Sequence, residues 1–202
     1  MDKAKDTDAK NEVLFVSGQR GSGKSYWTKR YLAKIPRAII YDALSEYDAD
    51  KTFYDVEDLV DFLIADRARP SFFSVSLDSI YESDFPVFCR AALACENVHI
   101  VIEEIDLFSS PTYTPPELLK LLKYGRHWGI QIIGISRRPA EVSRHFTANA
   151  NRFVVFYQHE PRDLAYFRSI VGSEADKIQQ LTDHQFLDID FKSKTYETKN
   201  PL

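Results

Sequence analysis

The run Gly18-Gln19-Arg20-Gly21-Ser22-Gly23-Lys24-Ser25 satisfies the phosphate-loop pattern G-x-x-x-x-G-K-[ST]. Gly21 and Gly23 carry no side chain, so successive backbone N–H groups can turn inward around phosphate oxygens. A helix starting at the end of the loop adds unpaired N-terminal donors and the positive end of its dipole. Lys24 brings a point charge to the β and γ phosphates, and the Ser25 hydroxyl is placed to ligate Mg²⁺. The nucleotide-contacting set therefore runs from Gly18 to Ser25 and on to Tyr26.

A second constellation is Ile100-Val101-Ile102-Glu103-Glu104, an apolar run ending in two acids. The first acid, Glu103, is suited to the metal shell, and the second, Glu104, to deprotonating an attacking water. Adjacent carboxylates repel unless a cation offsets them. This pairing favours hydrolysis. A small-molecule kinase would want an arginine-rich lid, for which Arg137 and Arg138 leave room.

These residues need elements to hold them. Val13 to Val16 reads as a buried strand entering the loop, and Tyr26 to Ala33 as the helix leaving it. Further strands are expected at 37–41, 72–76, 98–102, 130–135 and 152–157, and helices at 56–65, 84–94, 161–171 and 175–181. Thr114-Pro115-Pro116-Glu117 predicts an N-cap, a proline at the first helical position and a capping-box glutamate, opening a helix to about Tyr124. Residues 185–191 and 194–198 predict a terminal β-hairpin. Alternating strands and helices imply a mostly parallel sheet with helices on both faces.

With 202 residues, 44% of them apolar and 28% charged, the chain has the composition of one soluble globular domain. Residues 11–202 are assigned to that domain and 1–10 to a disordered lead-in. No apolar stretch has the length of a membrane span, and the polar start is unlike a signal peptide. On a helix, Cys89 and Cys95 would lie about 9 Å apart, too far for a disulfide. They read as core residues of a reducing compartment. The net charge of −4 hides two blocks. Nine acids from Asp42 to Asp66 face Lys51 alone, and seven bases from Lys120 to Arg152 face Glu141 alone. Such blocks suit complementary subunit faces or a surface for a polyanion.

The stretch from Lys123 to Pro139 resembles the FtsK/HerA superfamily of hexameric DNA-pumping ATPases. In that family a Gly-Arg element, here Gly125-Arg126, precedes a strand ending in Thr/Ser-Gln-Arg-Pro, here Ser136-Arg137-Arg138-Pro139. Asp42 to Tyr47, Asn149, Asn151, Arg152, Asp163 and Leu164 extend the likeness over roughly residues 12–191. Small single-domain members are similar to the genome-packaging ATPases of tailless double-stranded DNA viruses with an internal membrane. The resemblance implies a RecA-like (ASCE) P-loop α/β fold binding ATP and Mg²⁺. It also implies a homo-oligomeric ring acting on double-stranded DNA, a portal or membrane protein of the virion as partner, and a place in the host cytoplasm or at a packaging vertex. It makes Arg126 the first choice for a cation delivered to a neighbouring subunit's site, with Arg152 and Arg144 as alternatives. The family's sensor glutamine corresponds here to Arg137. A guanidinium can grip phosphate but accepts no hydrogen bond from water, so Ser136 and Arg137 both stand as sensor candidates. Lys120, Lys123 and Arg138 are candidates for contact with the DNA backbone. A non-hydrolysing nucleotide-gated assembly protein is the remaining alternative.

Overall fold

The computed structural model describes residues 12–66 and 73–201, so the expected lead-in and Phe72 lie outside the described residues. Nine strands form one sheet: β1 (Val13–Ser17), β2 (Arg37–Tyr41), β3 (Lys51–Phe53), β4 (Phe73–Leu77), β5 (His99–Ile102), β6 (Gln131–Ser136), β7 (Arg152–Phe156), β8 (Phe186–Asp190) and β9 (Thr195–Lys199). Their order is β3-β4-β2-β5-β6-β1-β7-β8-β9. The pairs from β3 to β7 are parallel. β7–β8 and β8–β9 are antiparallel, which forms the expected hairpin.

The strands of the parallel core are apolar on both faces, as helices covering both sides of a sheet require. On β1, Phe15 belongs to one core while Leu14 and Val16 belong to the other. The same alternation sets Ile100 and Ile102 against Val101 on β5, and Phe153 and Val155 against Val154 and Phe156 on β7. The two layers are unequal. The larger core receives residues of α2 (Val56–Asp66), α3 (Asp84–Leu93), α4 (Pro116–Tyr124), α5 (Arg144–Thr147) and α6 (Pro161–Val171). The smaller is covered by α1 (Lys24–Leu32) through Trp27, which stacks on Tyr31 at 5.0 Å and meets Phe186 edge-on at 6.0 Å. Truncating so buried a ring costs about 3–5 kcal/mol.

Two expected helix features differ. Pro115 precedes Pro116, and a residue before proline is driven out of the helical region. Pro115 accordingly sits at ψ 135 as N-cap, α4 begins at Pro116, and Thr114 gives no cap. The Thr114 hydroxyl instead pairs with that of Ser143. The segment expected as a helix at 175–181 is a 3₁₀ stretch, Gly172–Gln180. Ala175, Ile178 and Leu181 are buried at every third position, the period of a 3₁₀ turn. Gly172, at φ 61, ends α6 before it.

β6 lies between β1 and β5, so the phosphate loop and the Glu103-Glu104 pair leave strands separated by one other. All three strands end at the same edge of the sheet because they are parallel. A crevice at the carboxyl ends of such strands, where the order reverses, is where α/β sheets bind ligands.

Candidate functional site

Gly18 emerges from β1 so close to β7 that a Cβ on it would lie 2.6 Å from Phe156 Cβ. Gly21 (φ 77) and Gly23 (φ 109) take left-handed conformations that carry the loop into α1. The Lys24 ammonium donates to the carbonyls of Gly18 at 2.7 Å and Gln19 at 3.1 Å, and its side chain is buried. Burial lowers its pKa, and Glu104 and Glu103 act in the opposite direction. Ser22 Oγ is buried with no hydrogen-bond partner, an orphan polar atom within the loop. An oxyanion in the loop fits these residues. Ser25 follows on the first turn of α1, and Tyr26 beside it is half exposed with its hydroxyl accepting from Arg30 at 3.3 Å.

Glu103 and Glu104 are both buried, at 2% and 3% exposure. Adjacent residues of a strand point to opposite faces. The chain breaks that alternation at Glu104, whose φ 47 and ψ 51 are left-handed and uncommon for a residue with a side chain. The kink turns the chain into a 3₁₀ segment, Ile105–Leu107, and lets both carboxylates act on Lys24.

Glu103 Oε2 accepts from the Tyr47 hydroxyl at 2.8 Å. Burial pushes the Glu103 pKa up to about 7, against the lowering effect of the tyrosine hydrogen bond. Asp42, at the end of β2, holds Tyr47 in place by accepting from the backbone N–H groups of Glu46 and Tyr47 at 2.9 Å each. Burial raises the Asp42 pKa as well. Glu104 Oε1 meets Arg137 Nε at 2.6 Å. Burial and then Asp106 raise the Glu104 pKa, while Arg137 and Lys24 lower it.

β6 delivers Ser136 and Arg137 to this place. The Ser136 hydroxyl is buried and accepts from Arg138 N at 2.9 Å, which shapes the turn after the strand. Arg137 is the one that reaches a carboxylate. Buried Gln158, beyond β7, ties the strand ends together by donating to Ser17 Oγ and to the Arg137 carbonyl, each at 3.2 Å. His159 pairs with the Gln19 side chain, and Gln19 N donates to the Tyr157 carbonyl at 3.1 Å.

Sequence reasoning missed Tyr47, Gln158 and His159 as parts of this site. An acid ending a strand five residues before a tyrosine was the one available signal for Tyr47, and the other two depend on strand order. Arg20, Arg137, Arg138, Gln158 and His159 help line a charged hollow of about 340 Å³ on one side of the loop.

Arg126 lies elsewhere. It is exposed in a 3₁₀ turn, Gly125–Trp128, that precedes β6, and therefore sits at the opposite end of the sheet from its own phosphate loop. A hollow of about 500 Å³ lined by Arg126, Lys123, Val13 and Asn149 marks that end. The basic block is thus split between the two ends of the sheet. Arg152 is tied within its own chain by a two-point contact with Asp188, at 2.8 and 3.0 Å, and by Glu12 at 3.4 Å. The Arg144 guanidinium lies 4.5 Å from the Tyr166 ring.

The sheet and the loop define a P-loop NTPase fold. No protein-family model matches the sequence, and no curated protein does. Among solved structures, the chain is similar to the genome-packaging NTPase B204 of Sulfolobus turreted icosahedral virus 2 in complex with ATP-gammaS. The TM-score is 0.78 and the identity 21%, over 95% of this chain and 98% of that one. It is also similar to VirB4 of Thermoanaerobacter pseudethanolicus, with TM-score 0.62 and 13% identity over 91% and 88% of the two chains. The N-terminal domain of zonular occludens toxin from Neisseria meningitidis gives TM-score 0.56 and 12% identity over 96% and 95%. At these identities the likeness is one of fold. No helix among the described residues is long and apolar enough to cross a membrane.

Proposed function

We propose that this chain is an ATP-hydrolysing, ring-forming motor that moves double-stranded DNA, packaging a viral genome into a preformed capsid. The observation that carries the reading is the left-handed kink at Glu104. It sets a buried carboxylate beside the lysine of a phosphate loop and within reach of an arginine from the neighbouring strand. The fold it shares with B204, a genome-packaging NTPase, supplies the context.

In this reading the loop from Gly18 to Ser25 holds the phosphates, and Lys24 turns from its loop carbonyls to the γ-phosphate. Ser25 and Glu103 would hold Mg²⁺, which when bound would supply positive charge against the charge developing on the phosphate oxygens. Among the described residues there is no cluster of three or more His, Cys, Asp or Glu suited to a metal. Mg²⁺ carried by phosphates and one or two protein ligands does not require one. Tyr47 orients Glu103. Glu104 takes the proton of the attacking water, and Arg137 exchanges its carboxylate partner for phosphate. Arg126 faces away from its own loop, so its cation serves the site of an adjacent copy in a ring; such a cation contributes about 10³–10⁵ in rate in GTPases. Lys120, Lys123 and Arg138 contact the DNA backbone without reading bases. A portal or membrane protein of the virion completes the assembly, which works in the host cytoplasm or at the packaging vertex.

The test is ATP turnover measured with and without double-stranded DNA, alongside the mass of the assembly. A ring whose turnover rises with DNA is expected. A monomer that ignores DNA would sink the motor reading.

A further inference from the structure

Next to the charged hollow, with Gln19 lining both, Gly21 and Ser22 border a second hollow of about 340 Å³. One wall is the turn Thr182–Gln185 that enters β8. Gln185 N donates to the Thr182 carbonyl at 2.8 Å, and both central residues are left-handed, Asp183 at φ 45 and His184 at φ 64. Two left-handed residues closed by that bond make a type I′ turn, whose second central position favours glycine. Histidine there is strained where glycine would not be.

The strained residue sets its ring against the phosphate loop. A Cβ on Gly23 would lie 2.8 Å from His184 Cδ2 and 3.1 Å from its Cβ, so only a glycine at 23 lets the imidazole approach. The turn is braced: the Gln185 amide oxygen accepts from Thr182 N and Oγ1 at 3.3 Å each, and its nitrogen donates to Asn200 at 3.1 Å. Tyr157 also lines the hollow, its ring stacked with that of His159 at 6.4 Å and 25°. The two hollows beside the loop differ in lining. The first mixes Arg20, Arg137 and Arg138 with Asp106, Glu160, Asp163 and the His159 ring, while the second presents the His184 and Tyr157 rings with one carboxylate, Asp183.

We propose that the ring-lined hollow takes the purine base and ribose of the nucleoside triphosphate, with the His184 imidazole as the surface on which the base stacks and Tyr157 as the second ring. This rests on the reading of the loop as a nucleotide phosphate site. A π-faced group suits the rings of this hollow, and the polyanionic end belongs with Lys24 and the loop that carries it. Stacking on an aromatic side chain supplies affinity without a demand for particular hydrogen bonds.

The test is calorimetric titration of the full chain with Mg²⁺·ATP and, separately, with Mg²⁺·tripolyphosphate, which carries the phosphates but no base. Wild type should bind both, ATP more tightly. His184→Gly suits the turn's backbone and so keeps the fold. It should weaken ATP by about tenfold and leave tripolyphosphate unchanged. Tyr157→Leu, away from the strained turn, should show the same split. Equal weakening of both ligands would mean that the rings only prop the loop, and unchanged ATP affinity in both variants would mean that the base lies elsewhere. Either result overturns the subsite while leaving the phosphate site standing. Wild type that binds neither ligand would overturn both readings.

Discussion

Replacing Glu104 by glutamine tests two roles of one carboxylate. The ion pair with Arg137 is 2.6 Å long. At an effective dielectric of about 20 its bare attraction is about 6 kcal/mol. The Arg137 side chain is 46% exposed, however, so water competes for the guanidinium. The net worth of the pair then falls to about 1 kcal/mol, the upper range for solvent-facing pairs. ATP recruiting Arg137 to phosphate must overcome that amount. Glu104→Gln removes the carboxylate charge that holds the arginine, so Mg²⁺·ATP should bind about fivefold more tightly. Turnover should fall by about 10²–10⁴, the range for a lost general base.

The assay is phosphate release for turnover and calorimetry for affinity, run in mildly alkaline buffer on four proteins: wild type, Glu104→Gln, Arg137→Ala and the double variant. The tightening should vanish in the Arg137→Ala background, because the two residues act through one contact. Glu104→Gln that keeps more than about a tenth of wild-type turnover would refute the base assignment. Tightening that persists without Arg137 would refute the exchange of partners.

Three other outcomes are expected. In Gly134→Ala the new methyl would lie 2.4 Å from Phe146 Cζ and 3.1 Å from Ile105 Cδ1. Overpacking of about 1–3 kcal/mol, offset by the better strand propensity of alanine, leaves a net loss of about 1–2 kcal/mol in urea denaturation; Phe146→Leu should recover much of it. Asp188 is buried, which alone would raise its pKa, but hydrogen bonds from Arg152 and Lys199 hold it below the usual carboxylate value. A depressed folded pKa stabilises the fold above the unfolded value, and that stability is lost as pH falls through the folded one. Acid titration of unfolding should therefore show wild type losing stability at the acid end where Asp188→Asn does not. At neutral pH the variant should be weaker by about 3 kcal/mol because Arg152 is left without its main partner. Finally, Arg126→Ala and Glu104→Gln should each be inactive in assembled rings and regain activity when mixed, since an Arg126→Ala site can borrow the cation of a Glu104→Gln neighbour. Inactive mixed rings would show that Arg126 does not act between subunits.

The central elements were legible because each carried a local signal. Glycine spacing marked the loop, and apolar runs of strand length marked β1, β2, β5, β6 and β7. The short edge strand β3 was not, since only Phe53 of its three residues is buried and acids surround it. Strand order was not legible, since no residue pattern announces that β6 passes between β1 and β5. That order decides the site. It brings Arg137 to Glu104 and Gln158 to Ser17, pairs separated by 33 and 141 positions in the chain. The kink at Glu104 was equally hidden, because a glutamate shows no sequence preference for a left-handed backbone. Arg126 was named from a motif, and its distance from its own phosphate loop became visible only in three dimensions.

β6 spans six residues from Gln131 to Ser136, paired with β1 from Ile132 to Ser136 and with β5 from Gln131 to Gly134. At about 3.3 Å per residue it is a rod of roughly 20 Å. One tip carries Arg137, and the other follows directly from the Gly125–Trp128 turn that holds Arg126. A strand clamped between two others neither stretches nor bends at low cost, so it moves as one piece. In a closed ring built as proposed, a shift at the nucleotide end would reach the rim facing the neighbour without loss of amplitude. The strand would act as a timing rod, linking the moment one subunit senses its phosphate to the moment the next receives its cation.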